Sequence, residues 1–98
     1  MNLDELWSVV RSIPKGKVAS YGACGRALRN PATGWQVGRW MTQAEDDVPW
    51  WRVVAKSGNL PTYKRDVGLG IDQKQRLERE GVRFDGDLVS PDCFWDPS

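Results

Sequence analysis

A mainly α fold with short β hairpins, organised as a winged helix-turn-helix-like domain, is predicted from three observations. Apolar residues recur at helical spacing in short blocks separated by proline and glycine. Two of these blocks follow residues suited to N-capping, Ser20 and Thr33, and are joined by the breaker Asn30-Pro31. Asp85-Gly86 stands between two short apolar pairs, the dipeptide of a tight hairpin.

The elements follow in order. Leu3, Leu6, Trp7 and Val10 fall at i, i+3, i+4 and i+7 and make one apolar stripe, so helix is predicted over about residues 3–12. Asn2 and Glu5 have capping-box spacing, and Ile13-Pro14-Lys15-Gly16-Lys17 ends the helix. Ser20 caps a second helix, about 21–29, with Cys24, Ala27 and Leu28 inward. Thr33 caps a third, about 34–44, whose Val37 and Met41 face the core while Trp35, Gln36, Arg39 and Trp40 form its outer side. Arg52–Ala55 and Leu60–Tyr63 are read as a wing hairpin about Ser57-Gly58-Asn59, and residues 64–70 as a glycine-bearing loop. Asp72 is read as the cap of a helix over about 72–80, with Leu77 inward and Gly81 as its C′ residue. Val82 and Phe84 lead into the Asp85-Gly86 turn, from which Leu88-Val89 returns.

The 98 residues make one domain with one modest core. No apolar run reaches the length of a membrane span, and the start is no signal peptide. Cys24 and Cys93 are isolated from each other, so neither a zinc site nor a disulfide framework is expected; reduced thiols in the cytoplasm are the default. Histidine is absent altogether, which removes the usual general base and the usual activator of a Ser or Cys nucleophile. No cofactor is called for. The net charge of +1 conceals a polarity. From Leu6 to Ala44 there are six basic residues, Arg11, Lys15, Lys17, Arg26, Arg29 and Arg39, and no acid, so this part carries +6 and the remainder −5. A segment so one-sided points to a polyanion. Charge alone leaves a solvated helical surface as the alternative.

Pro49-Trp50-Trp51-Arg52-Val53-Val54, preceded by Glu45, Asp46 and Asp47, is the least ordinary stretch. Adjacent side chains diverge on strand and helix alike, so Trp50 and Trp51 do not share one core site. One of them is expected beside a cavity, where indole and guanidinium offer flat stacking surfaces.

Ile13-Pro14-x-Gly16-x-Val18-x-Ser20-Tyr21-Gly22, Asn30-Pro31, Val37-Gly38, Pro49-x-x-Arg52-Val53-Val54, Ser57-Gly58 and Leu77-x-x-Glu80-Gly81 occur in the order that resembles the C-terminal domain of O6-alkylguanine-DNA alkyltransferases. The resemblance runs over about residues 3–84. One departure is decisive for chemistry: the family motif Pro-Cys-His-Arg-Val is here Pro-Trp-Trp-Arg-Val, so Trp50 and Trp51 replace the thiol and the imidazole that transfer requires. Tryptophan at the thiol position marks the alkyltransferase-like proteins. The resemblance implies a chain that is no enzyme: it binds O6-alkylguanine in double-stranded DNA through the minor groove, flips the nucleotide and flags it for nucleotide excision repair proteins. It also implies a cytoplasmic, nucleoid-associated monomer with no membrane contact.

By the same resemblance Trp50, Trp51, Arg52, Val53, Tyr63 and Arg65 form the lesion pocket, with Tyr63 and Arg65 in a covering loop. Tyr21 meets the phosphate of the flipped nucleotide. Ser20, Lys17, Arg26, Gln36 and Arg39 complete the DNA-binding face. In the family an arginine fills the gap left by the flipped base; Trp35 holds that position here, with Arg39 one turn further on as the alternative. Glu80, the family's partner to the absent imidazole, is left a structural role. A winged-helix binder of undamaged DNA remains the alternative reading of the basic helix pair.

Overall fold

The structure, a computed structural model, describes residues 3–97. Its first helix, α1, spans Asp4–Arg11 and buries Leu6 and Val10. Asn2 of the expected capping box lies outside the described residues. Leu3 occupies the N-cap position without a side-chain cap, and the Glu5 carboxylate instead accepts from the Arg29 backbone N–H at 2.8 Å.

The strand β1 (Ala19–Ser20) leads directly into α2 (Tyr21–Arg26), and Ser20 caps that helix by accepting from the Ala23 N–H at 3.0 Å. Thr33 starts α3 (Gly34–Met41) with a full capping box: its hydroxyl accepts from Gln36 N, and the Gln36 side chain accepts from Thr33 N. α2 and α3 pack closely and are the helix-turn-helix expected from the sequence. Both helices stop three residues short of their expected ends.

The wing is where expectation and structure part. Val53–Val54 is indeed a strand, β2, but it pairs in parallel with β1 (Ala19 with Val53, Ser20 with Val54). Leu60–Tyr63 forms no return strand; Thr62–Arg65 is a short helix, α4, entered from Pro61 at φ −62° and ψ −15°. The reason is burial. Val53 and Val54 are 1% and 0% exposed, and a strand closed on both faces needs an interior partner rather than a solvent-facing hairpin. Proline meanwhile presets the helical φ.

The glycine-bearing loop is also corrected. Helix α5 runs Val67–Arg79 and is capped by Asp66, which accepts from Leu69 N at 3.2 Å, so Asp72 lies inside the helix rather than at its start. Gly70 is tolerated there because a Cβ would overlap the Tyr63 ring, so α4 seats closely on α5. The end of α5 agrees with the sequence. Gly81 has φ +93°, its N–H donates to Glu78 O, and Val82 N donates to Leu77 O, the paired bonds of a Schellman motif. Strands β3 (Phe84–Asp85) and β4 (Leu88–Val89) pair antiparallel around Gly86, whose φ is +64°.

Two apolar clusters result. Leu6, Val10, Ile13, Ala19, Cys24, Val37, Met41 and Val53 belong to the first, and Val18, Val54, Leu60, Leu77, Val82, Val89 and Cys93 to the second. The strands lie between them: Ala19 and Val53 face one cluster, Val18 and Val54 the other, as strand alternation requires. The C-terminal segment closes the open side of this seam, with Val18 N donating to Cys93 O at 2.9 Å and Trp95 N to Val18 O at 2.8 Å. Among the described residues no helix is long and apolar enough to cross a membrane, and no group of three or more His, Cys, Asp or Glu could hold a metal.

Candidate nucleic-acid interface

The capping box orients α3 so that Val37 and Met41 go inward and Trp35 outward, where the residue is 70% exposed. An indole that bare is unusual in a protein of this size. The Arg39 guanidinium lies 5.0 Å from its centroid, one helical turn along, so the two side chains stand as one flat, positively charged ridge.

Inside that ridge is a cleft of about 460 Å³. Tyr21 contributes one wall from the start of α2, Gly38, Arg39 and Thr42 a second, and Pro61, Thr62 and Arg65 a third; Trp35 stands at its mouth. The lining includes two arginines and no acid. Tyr21 is half-buried, and burial pushes its phenol up, with Arg65 opposing and Cys24 adding to the rise, so the ring presents a neutral hydroxyl.

A second hollow, about 320 Å³, adjoins the first across Thr42 and Arg65. Trp50 forms part of its wall with Met41, Leu69, Asp46, Asp72 and Arg76. The Trp50 indole N–H donates to Asp46 at 3.0 Å. Arg76 reaches across to the same carboxylate at 3.1 Å and to Asp72, its i−4 neighbour, at 3.2 Å. The Arg76 guanidinium also lies 5.5 Å from the Trp50 ring and 4.8 Å from the Trp51 ring, which meet edge-to-face at 84°. The Trp50 N–H and then Arg76 hold the Asp46 carboxyl below its ordinary range.

Behind this wall the next residues serve as support. Trp51 packs on the second cluster. Its N–H is buried without a partner in hydrogen-bond geometry, yet it lies near enough to Glu80 to help keep that carboxylate ionised. Arg52 makes a bidentate pair with Glu80, Nε to Oε1 at 3.0 Å and Nη2 to Oε2 at 2.7 Å, and donates to the Ile13 carbonyl at 2.9 Å. Burial raises the Glu80 carboxyl, but the Arg52 hydrogen bonds and charge outweigh it and hold it below the usual range. Gln73 is 0% exposed and fully engaged: its amide donates to the carbonyls of Trp51 and Val53 and accepts from the Thr62 hydroxyl.

Of the residues singled out from the sequence, Tyr21, Trp35, Arg39 and Arg65 converge on one cleft, and Trp50 on its neighbour. Trp51, Arg52, Val53 and Tyr63 line neither; Val53 is core and Tyr63 packs against Gly70 and the second cluster. Ser20 and Gln36 spend their side chains on helix caps. Lys17 donates to the Asp92 carbonyl at 3.3 Å, and Arg26 borders a separate recess with Ser20, Phe94 and Trp95. Sequence reading missed Thr42, Pro61, Asp46, Arg76 and Gln73. For Arg76 a signal existed in its i, i+4 spacing from Asp72 on a helix; there was none for Asp46, which lies in a loop where the same spacing to Trp50 has no helical meaning, or for Gln73, whose partners lie 11 to 22 residues away.

A helix-turn-helix with an exposed aromatic ridge over a cationic cleft is the architecture of a DNA-handling domain of the alkyltransferase type. The chain belongs to the family described as the 6-O-methylguanine DNA methyltransferase DNA-binding domain, whose model matches residues 3–82. Alkyltransferase-like protein 1 of Schizosaccharomyces pombe is 36% identical over 99% of this chain and 100% of its own length. The DNA base-flipping protein of Vibrio parahaemolyticus is 30% identical over 97% and 96%. Among solved structures, S. pombe Atl1 in complex with damaged DNA containing O6-carboxymethylguanine superposes with a TM-score of 0.76 at 34% identity, covering 99% of this chain and 100% of that one.

Proposed function

We propose that this chain recognises O6-alkylguanine in double-stranded DNA by turning the damaged nucleotide out of the minor groove into the cleft between Tyr21 and Arg65, and that it holds the base without removing the alkyl group. The observation that carries the reading is the cleft itself, lined by Tyr21 and Trp35 with two arginines, and sharing Thr42 and Arg65 with the hollow that Trp50 lines, where a thiol would stand. Its relatives named for base flipping and for alkyltransferase likeness support it.

In this mechanism Trp35, held by Arg39, wedges into the stack at the vacated position; such stacking is worth about 1–3 kcal/mol per base. The flipping cost of a few kcal/mol is lowered because an O6 substituent has already weakened the pair. The Tyr21 hydroxyl meets the phosphate of the extruded nucleotide, and Arg65 stacks on the base. Lys17 and Arg26 add sequence-independent phosphate attraction. Transfer chemistry has no nucleophile: position 50 carries an indole, and burial, with Asp96 adding to it, pushes the Cys24 thiol up to about 12, so it stays protonated. The held complex then serves as the flag for nucleotide excision repair proteins.

Binding to otherwise identical duplexes with and without one O6-methylguanine tests the reading. Tighter binding to the lesion, with no mass gain on the protein, supports it. Equal affinity would instead favour a winged-helix binder of undamaged DNA, and a gain of one methyl group would mean an enzyme.

A further inference from the structure

Helix α5 turns Gly70, Gln73 and Leu77 inward, one face at i, i+3 and i+7. At the middle of that face an apolar side chain would be the ordinary choice, since burying an amide costs desolvation and rotamer freedom. Gln73 stands there instead, 0% exposed, and its amide reaches three other elements. Nε2 donates to the Trp51 carbonyl at 3.0 Å and to the Val53 carbonyl at 3.1 Å, while Oε1 accepts from Thr62 Oγ1 at 2.6 Å. One side chain thus ties α5 to the double-tryptophan turn, to β2 and to α4. Helix α4 needs such a tie. It has four residues, no side-chain cap at its start and extended backbone at its end, so it is too short to hold its own shape. Yet Pro61, Thr62 and Arg65 make the third wall of the base cleft. The Tyr63 ring seats α4 on Gly70, which sets a distance; the hydrogen bond to Thr62 also sets a direction.

We propose that Gln73 is a positioning residue for lesion recognition: through Thr62 it fixes the α4 wall, Arg65 included, relative to the Trp51 backbone, so that the cleft is formed before a base enters it. The inference rests on the lesion-binding reading above and deepens it. Gln73 is fully enclosed and acts without touching DNA. A wall already in place need not be ordered when the base arrives, and that saving goes to the flipped nucleotide alone. Undamaged duplex is held by α3 and the basic side chains, which Gln73 does not bond. Fully satisfied buried amides fix one arrangement of the elements they join, which an apolar residue of the same volume does not.

The test is the ratio of dissociation constants for guanine and O6-methylguanine duplexes, measured by fluorescence anisotropy on the whole chain and its variants, with urea denaturation of each. Taking the ratio within each variant cancels any loss of folded protein. Gln73→Met removes the amide and Thr62→Val the hydroxyl; the double variant strands neither partner. Each single change is expected to lower the preference for the lesion about tenfold, and the double change no further, because both remove the same tie. Should Gln73→Met fail to fold, Gln73→Asn, its amide one methylene short of Thr62, replaces it in the same cycle. A shifted denaturation midpoint with a ratio that stays within about twofold in the Gln73 variant means a core role only, and overturns the proposal while leaving lesion binding intact. Losses that multiply in the double variant overturn it too, since Thr62 would then act without Gln73. If the unaltered chain binds O6-methylguanine no more tightly than guanine, the lesion reading fails and the proposal with it.

Discussion

Trp50 and Trp51 are adjacent, chemically identical and both half-buried, yet they pack on different clusters and differ in what else they meet. Trp50 leans on the first cluster but also faces a hollow, and its N–H is taken by a carboxylate that water also reaches. Trp51 is turned into the second cluster, between the Arg52 and Arg76 guanidiniums, with its N–H shut away beside Glu80. A single 3₁₀ turn at Trp50–Arg52 separates a surface that can receive a ligand from a structural prop. The difference teaches that replacing both residues of a reactive pair need not have one meaning. One indole reshapes the site, and the other fills and holds what lies behind it.

Substitutions can break this contrast, beginning with the largest effect. Trp51→Ala is expected to lower stability by about 3–5 kcal/mol in urea denaturation, because it opens a cavity and loosens two guanidiniums at once. A loss below about 1 kcal/mol would erase the distinction. Glu80→Gln should cost about 2–3 kcal/mol by leaving Arg52 half-buried and unbalanced.

The same pair predicts a pH dependence. The folded-state pKa of Glu80 is depressed, so its contribution is fully present above the ordinary glutamate range and fades as pH falls through the folded value. Thermal midpoints should therefore drop more steeply on acidification in the unaltered chain than in Glu80→Gln. Parallel curves would remove the ion pair from the account.

Trp35→Ala should weaken lesion-duplex binding by about 1–3 kcal/mol while leaving the denaturation midpoint unchanged, since the residue is already 70% exposed. Trp50→Ala sharpens the comparison most finely. Its stability cost is expected near 1 kcal/mol, below that of Trp51→Ala, while the preference for O6-methylguanine over guanine falls about tenfold. If Trp50→Ala proved as damaging to stability as Trp51→Ala, both indoles would be core.

How far the sequence could carry the fold depends on the range of the interactions. Ser20, Thr33, Gly81 and Gly86 act within a few residues of themselves, and the caps and turns expected of them are there. The wing failed because the partner of Val53–Val54 lies at Ala19–Ser20, across two helices, and nothing local distinguishes a hairpin strand from a parallel one. Gly68 and Gly70 read locally as a loop and hide the first turn of α5, whereas the Tyr63 ring needs the bare backbone at Gly70. For the site, the departure at positions 50 and 51 was visible by eye. That Arg52 would be consumed by Glu80, or that Asp46 would reach Trp50, required the chain to be folded first.

The family model ends at residue 82, but the seam between the clusters does not. Beyond that point Val89 and Cys93 fill the second cluster, Trp95 leans on the first, and the bridge from Val18 to Phe94 caps the bare flank of the two-residue ladder. The minimal folding unit is therefore longer than the matched domain. A fragment trimmed at residue 82 would expose backbone donors and acceptors along that flank, and self-association would follow.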